Sequence, residues 1–219
     1  MVEFADAISP EANERVYALA EALRRRPLPG LREAVPTYRS LLLHFDPLTL
    51  EEARLRRHVE ALLRGDAVRL APEREPRLRE VPTLYGGAMG PDLPSVAELT
   101  GLTEAEVVRL HSETIYTVYM VGFLPGFPYL GVLPEALETP RLEEPRLVVP
   151  AGSVAIAGRQ TGIYPLESPG GWRLIGRTPL RLFDPRRDPP AYIAPGDRVR
   201  FVPVSAAEYE RAGGEQVWS

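Results

Sequence analysis

The hydrophobic pattern changes period along the chain. Residues 2–8 are short and strand-like. Ser9 then stands as an N-cap with Pro10 at the first helical position, and Val16, Leu19, Ala20 and Leu23 recur at spacings of three and four, the signature of one helix face. The helix is predicted to stop at residues 26–30, Arg-Pro-Leu-Pro-Gly. Residues 31–35 and 38–45 read as strands on either side of a Pro36-Thr37 turn, the second ended by Asp46-Pro47. Thr49 and Glu52 have the spacing of a capping box, and Leu55, Val59, Leu62 and Leu63 mark the face of a second helix closed by Gly65. A strand over 78–81 would complete a β-α-β-β-α-β order, that of a ferredoxin-like domain.

Beyond that point helix is scarce. Residues 1–82 hold 2 Gly and 8 Pro, whereas residues 83–206 hold 14 Gly and 16 Pro, so the second part is dense in turns. Residues 69–83, with three prolines and mixed charge, read as a linker or surface connection between domains at 1–82 and 83–206, followed by a tail at 207–219. Ser95 with Glu98 and Thr103 with Glu106 are two further capping boxes, giving a short turn ended by Gly101 and a helix through His111. Short strands are predicted over 114–121, 146–149, 153–157, 162–164, 172–175, 180–183 and 198–202. Many short strands at this spacing specify a β-barrel or sandwich, so the fold class is α+β.

Composition narrows the chemistry. Of 219 residues none is Cys, three are His and all 26 basic residues are Arg, so there is no Lys. A Walker A loop, a Schiff-base site and a biotin or lipoyl carrier all need a Lys, while thiol nucleophiles, disulfides and thiolate metal sites need Cys. An all-Arg set is most simply a codon habit of a GC-rich genome; thermophily is a weaker inference. The formal charge of −4 asks for neither nucleic acid nor an anionic membrane. No basic segment followed by an apolar run opens the chain and no stretch approaches a spanning helix, which makes the cytoplasm the default location.

Three segments carry candidate chemistry. Residues 84–95, LYGGAMGPDLPS, could present backbone N–H groups to an anion or form a tight turn into the next helix. Residues 116–131 interleave Tyr116, Tyr119, Phe123, Phe127 and Tyr129 with two Pro and three Gly, so the run is predicted to leave the barrel and cover or line a cleft, or to pack beneath a barrel lid. Residues 149–177 supply Ser153, Arg159, Gln160, Thr161, Tyr164 and Ser168. There Gly170 and Gly171 would let another backbone approach Trp172; the plain alternative is a hairpin with a polar outer face. His44 and His58 read as structural and solvated residues, and only His111, just before the aromatic run, is placed to act. Ser153 lacks the second Gly of a nucleophile elbow and has no obvious His partner. No metal-ligand spacing is present, and no protein-bound metal or covalent cofactor is predicted.

Read together, the stretches RSLLLHFDP, YGGAMGPDL, LHSETIYTVYMVGFLPGFPYLG, PRLEEPRLVVPAGSVAIAGRQTGIYPLESPGGWRLIGRTPLRLFDP and PGDRVRFVPV resemble the KipI / allophanate hydrolase subunit 1 family. The resemblance implies a ferredoxin-like N-terminal domain, a cyclophilin-like β-barrel, and work as one subunit of an ATP-dependent 5-oxoprolinase. Partners would be a KipA-like protein, with which ATP is shared, and a LamB/YcsF-like protein. On residue chemistry, His111 and Gln160 are candidates for catalysis. Arg159, Tyr164, Trp172, Gly170, Gly171 and Ser153 are candidates for binding substrate. Tyr119, Phe123, Pro125, Gly126, Phe127 and Tyr129 would form a lid or partner-facing segment. The rival readings are an inhibitor of a sensor histidine kinase, after the family's name, and a carboxyltransferase or allophanate-hydrolase-like subunit, which would need a biotin carrier from elsewhere.

Overall fold

A computed structural model describes residues 1–65 and 76–214. The chain forms two compact units, Met1–Glu75 and Pro76–Ser219. In the first, strands β1 (Val2–Glu3), β2 (Leu31–Pro36) and β3 (Ser40–Phe45) form an antiparallel sheet in the order β1-β3-β2, with helices α1 (Pro10–Arg25) and α2 (Glu52–Arg64). Helix α1 begins where the sequence places it: Ser9 Oγ accepts the Ala12 N–H at 3.1 Å, and Val16, Leu19 and Leu23 are buried. Asn13, also buried, donates from Nδ2 to the carbonyls of Thr37 and Tyr38, tying α1 to the β2–β3 turn. The expected Thr49/Glu52 capping box is absent. Helix α2 is preceded by Glu51 without a side-chain cap, because Thr49 Oγ1 is used in the turn before it, donating to the Asp46 carbonyl. Leu63 stands partly exposed, off the face made by Leu55, Val59 and Leu62.

The second unit is a closed seven-stranded barrel in the order β11 (Arg173–Arg177), β4 (Leu78–Tyr85), β12 (Arg198–Pro203), β5 (Ile115–Val121), β6 (Pro128–Gly131), β9 (Gln160–Ile163) and β8 (Ser153–Ala157), and it corrects the expected domain border. Strand β4 (Leu78–Tyr85) does not complete the first sheet. Each residue from Leu78 to Thr83 pairs in parallel with β12 (Arg198–Pro203), while Leu84 and Tyr85 pair with β11 (Arg173–Arg177). Val81 and Thr83 point into the barrel with no exposure, a burial that a linker would not have. Of the predicted connection, residues 69–75 lie outside the described residues.

Helices α3 (Leu93–Thr100) and α4 (Glu104–Glu113) follow β4 and send Leu93, Val96, Ala97 and Val107 into the barrel core. The Thr103/Glu106 capping box forms in full. Ser95 caps nothing: it lies inside α3, whose N-cap is Asp92, and its hydroxyl donates to the Asp92 carbonyl. Gly101 closes α3 at φ 70°, the left-handed conformation that favours glycine. Next come β5 (Ile115–Val121), β6 (Pro128–Gly131), β7 (Arg146–Val149), β8 (Ser153–Ala157), β9 (Gln160–Ile163) and β10 (Ser168–Gly170), with β7 and β10 forming a separate two-stranded sheet. Strand β6 falls inside the run expected to leave the barrel, and residues 180–183 form no strand beyond one bridge between Phe183 and Ala191. Helix α5 (Ala206–Gly214) occupies much of the expected tail. No helix among the described residues is long and apolar enough to cross a membrane.

Alternation fills the barrel: Val81, Tyr116, Val118, Leu130, Val154, Ile156, Ile163, Ile175, Val199 and Phe201 share one core. Strand β8 is nevertheless buried on both faces, because Ala155 and Ala157 lie outside that core beneath a second cluster. The strand directions also set two ends. At one, β4 runs out towards α3 and α4 and the β8–β9 hairpin turns at Gly158-Arg159; at the other, the β5–β6 hairpin turns through residues 122–127.

Candidate functional site

The second cluster, on the outer barrel face, is aromatic. Phe127, Tyr164 and Trp172 are buried there over Ala155, Ala157 and Leu174, with Tyr129 partly buried against them. Ring centroids lie 5.1 Å apart for Phe127–Tyr164, 5.7 Å for Phe127–Trp172 and 5.9 Å for Tyr129–Trp172, the planes steeply inclined in each pair. Edge-to-face packing of this kind is favourable beyond its burial and holds the rings in fixed orientations. Glycines make the space. A side chain at Gly162 would press on the Phe127 ring, and one at Gly170 would overlap the Tyr164 phenol. Gly170 therefore serves Tyr164 and not an approaching second backbone, while Gly171 has ordinary clearance from Pro145.

Phe123 sits at the tip of the β5–β6 hairpin with φ 68°, a left-handed conformation costly for a bulky residue, and is 63% exposed. Its ring meets Phe127 edge-on at 5.6 Å. Pro125 beside it is exposed and Gly126 buried, at φ 82°. The hairpin tip thus presents one large ring to solvent at a conformational cost, above rings that are themselves enclosed.

One edge of the cluster is polar. The Arg141 guanidinium stands over the Trp172 ring, 6.0 Å from its centroid. Arg146, on β7, bonds Asp92 Oδ1 at 2.6 Å through Nη2, while its Nη1 is buried without a hydrogen-bond partner. Asp92 is buried and already committed, since Oδ2 also accepts the Leu174 N–H at 2.7 Å. Arg173 donates to the Pro140 carbonyl and to Ser95 Oγ. Burial pushes the phenols of Tyr129 and Tyr164 above their ordinary range, with Arg141 opposing the rise at both. Both therefore stay protonated at neutral pH.

The residues expected at the site fall in several places. Tyr164, Trp172, Phe127, Tyr129 and Phe123 do come together. Gln160 shares the outer face with Tyr164 by alternation but opens β9, whereas Tyr164 follows its other end, about 13 Å away along the strand. Arg159 is exposed in the Gly158-Arg159 turn. Ser153 is 2% exposed and donates to the Pro150 carbonyl, and Ser168 bonds its neighbour Pro169. Tyr119 is buried beneath Gly131. His111 lies inside the barrel, fully buried: Thr161 Oγ1, which donates to the Ala155 carbonyl, is 2.9 Å from Nε2, and Tyr85 OH is 2.7 Å from Nδ1. His44 lies on β3, and His58 Nε2 is 3.2 Å from the Arg26 carbonyl. Among the described residues no group of three or more His, Asp or Glu is arranged to hold a metal ion. Sequence reasoning passes over Arg141 and Arg146, whose only signal is that each directly follows a proline in PRLEEPR, at the entry to β7.

Residues 1–193 match the family model described as carboxyltransferase domain, subdomain C and D. The chain is 48% identical over 206 residues to the B subunit of 5-oxoprolinase from Escherichia coli O157:H7, covering 93% of this chain and 91% of the relative. It is 41% identical over 217 residues to the B subunit of 5-oxoprolinase from Bacillus subtilis, covering 95% and 90%. Among solved structures, TTHA0988 superposes with a TM-score of 0.80 at 45% identity; the match covers 94% of this chain but 39% of that one, so this chain spans well under half of the TTHA0988 polypeptide. The K. lactis urea amidolyase shares the fold at a TM-score of 0.80 and 20% identity, over 98% of this chain and 15% of that one.

Proposed function

Because the chain belongs to the carboxyltransferase-domain family of subdomain C and D type and is kin to the B subunit of 5-oxoprolinase, we propose that it is a non-autonomous subunit of an ATP-dependent 5-oxoprolinase, which opens 5-oxo-L-proline to L-glutamate. The single observation that carries this reading is 48% identity to a 5-oxoprolinase B subunit over nearly the full length of both chains. An unstrained lactam resists water. Coupling to ATP activates the amide, on this reading by phosphorylation of its oxygen, so that water attacks an activated carbon. That step is largely positioning and charge stabilisation.

A chain without Lys has no Walker A loop, so the reading places ATP in a site completed by a KipA-like subunit, with a LamB/YcsF-like subunit finishing the enzyme. The length of TTHA0988 beyond the matched part supports a partner domain joined to this one in a relative. On this reading the barrel is of the cyclophilin-like kind, the first unit is ferredoxin-like, and the complex works in the cytoplasm. Purified alone, the chain is expected to hydrolyse neither ATP nor 5-oxoproline; mixed with both partners it restores glutamate formation. Full activity from this chain alone would overturn the shared site. The family description favours a second reading, carboxyl transfer. It predicts carboxybiotin-dependent turnover in the same mixture and no glutamate from 5-oxoproline.

The partner's footprint has a candidate position. Leu147 is 85% and Val148 55% exposed on β7, the strand that also carries Arg146. Two adjacent apolar residues left in water on a two-stranded sheet form a surface for another chain to cover. Leu147→Asp together with Val148→Asp is expected to abolish co-purification of the KipA-like protein while shifting the melting temperature of the isolated chain little. Undiminished co-purification would move the footprint elsewhere.

A further inference from the structure

We propose that Phe123 is the anchor through which this chain docks the subunit that completes the enzyme, a rigid aromatic knob that enters an apolar socket on that partner. The partner's identity rests on the 5-oxoprolinase reading, and the anchor extends the β7 footprint to the residue on which the contact centres.

Two turns hold the knob. Leu124 N–H donates to the Gly122 carbonyl at 2.8 Å, closing a three-residue γ-turn centred on Phe123, and φ 68° makes it the rare, strained form of that turn and not its common mirror image. Phe127 N–H then donates to the Leu124 carbonyl at 3.0 Å around Pro125 and Gly126, the pair a type II turn asks for, with Gly126 at φ 82°. A third bond, from Gly122 N–H to the Phe127 carbonyl at 3.0 Å, shuts the base of the loop. The tip is also seated on the barrel unit, since a side chain at Gly126 would press on Phe183 and the Leu182 carbonyl.

The ring's surroundings do not explain that strain. Its edge-on contacts with Phe127 and Tyr164, at 5.6 and 6.5 Å, leave it 63% exposed, and glycine or asparagine would hold the same left-handed backbone at lower cost. A large ring fixed in water by two turns suits an interface, because it offers apolar area with little freedom to lose on binding. Its match is a protein and not a small ligand: the rings beneath are packed shut, Phe127 and Tyr164 at 2% and Trp172 at 5% exposed. The apolar surface continues from the knob towards β7. Leu166, 39% exposed, lies two residues after Tyr164, whose hydroxyl rests against Gly170, and Gly170 pairs with Arg146 beside the exposed Leu147 and Val148. The relatives point to the chain that covers it. In TTHA0988 the matched fold is 39% of the polypeptide and so is joined to a longer stretch, whereas the 5-oxoprolinase B subunits are matched over 91% and 90% of their length. On the 5-oxoprolinase reading that stretch corresponds to a separate subunit, the KipA-like protein.

The test uses the full chain and the KipA-like protein. Phe123→Asn keeps a residue that tolerates the left-handed turn and removes the ring. Its melting temperature as an isolated chain is expected to stay within about 4 °C of wild type, while its affinity for the KipA-like protein, read by calorimetry, falls by roughly tenfold or more. Phe123→Tyr, which keeps the ring, should bind within about threefold of wild type. In the three-subunit mixture the Asn variant should make glutamate slowly at limiting KipA-like protein and regain the wild-type rate when that protein is in excess. Unchanged affinity, a steep fall in melting temperature, or a rate that excess partner does not restore would each overturn the anchor. So would the loss of a self-association of this chain in place of KipA-like binding, which would make a second copy the occupant. A wild-type mixture that makes no glutamate yet binds the KipA-like protein through Phe123 sinks the functional reading and leaves the anchor standing.

Discussion

Gly90→Ala is expected to lower the melting temperature of the second unit steeply, whereas Gly87→Ala three residues earlier should lower it only slightly. An alanine Cβ at Gly90 would overlap the Ile175 carbonyl, which is main chain and cannot swing aside, and would stand 2.7 Å from the Gly86 nitrogen. The loop from Gly86 to Asp92 is laid directly on β11. Gly86 N–H donates to the Ile175 carbonyl at 3.1 Å, Asp92 N–H to the Leu174 carbonyl at 2.9 Å, and Asp92 Oδ2 accepts the Leu174 N–H in return. Lifting the loop to admit a methyl group breaks these bonds and withdraws the start of α3, whose Leu93 and Val96 belong to the barrel core. Losing several buried hydrogen bonds together with core contact costs roughly 3–5 kcal/mol, a fall of about 6–20 °C in melting temperature for a chain of this size. At Gly87 nothing lies within 4 Å of the added Cβ; the penalty there comes only from φ 52° and amounts to about 1 kcal/mol. Thermal denaturation of the two variants beside wild type decides the matter. Equal melting temperatures would show that the loop is not held against β11.

That contrast also shows what the amino-acid order could and could not reveal. Three glycines in LYGGAMG were visible, but which of them faces another strand's carbonyl depends on a contact with Ile175, far along the chain. Helix α1 was legible because its start lies within a few residues: Ser9 and Pro10 act locally on Ala12. The two capping boxes that failed have the right letters and lose to tertiary context, since Thr49 spends its hydroxyl on the Asp46 turn and Ser95 already sits inside a helix begun at Asp92. Strand β4 is legible as a strand but not as a barrel strand, because alternation of period two states which residues share a face and not which sheet supplies the partner. The aromatic cluster was half legible. Residues 116–131 and 149–177 both stand out in the sequence and do meet in the fold, but Pro and Gly around Phe127 read as an excursion, whereas they turn the hairpin from β5 into β6. Arg159 and Arg141 are alike as letters. One tops an exposed turn and the other stands over Trp172, and only the fold separates them.

His111 supplies the other large effect, and it concerns pH. Enclosed in the barrel, the imidazole is depressed from 6.5 to about 3, and the cause is burial. Its neighbours complete a neutral ring. Thr161 Oγ1 gives its proton to the Ala155 carbonyl and so accepts from Nε2–H, which leaves Nδ1 to accept from the Tyr85 hydroxyl, itself pushed up by burial. A second proton on this ring would have to displace the Tyr85 donor in a fully buried site, lined by Tyr116 and Phe201 at centroid distances of 5.4 and 4.4 Å. The unfolded chain meets no such barrier and takes up its proton near 6.5. Stability owed to the neutral ring is therefore fully present above about pH 6.5 and is lost as pH falls towards about 3, at up to about 1.4 kcal/mol per pH unit. Between about pH 7 and about pH 4.5 the loss is roughly 2–3 kcal/mol. In His111→Gln the amide retains one donor for Thr161 and one acceptor for Tyr85 but cannot titrate. The variant is expected to be less stable than wild type at neutral pH, through poorer packing on Phe201, and the two denaturation midpoints should converge as pH falls to about 4.5. Parallel midpoints across that range, or a ring nitrogen spectrum of wild type showing imidazolium at about pH 5, would refute the assignment. Such a His is a poor proton relay at neutral pH: accepting a proton there costs the folded chain about as much as the stability at stake, so the neutral imidazole serves the barrel core and not proton transfer.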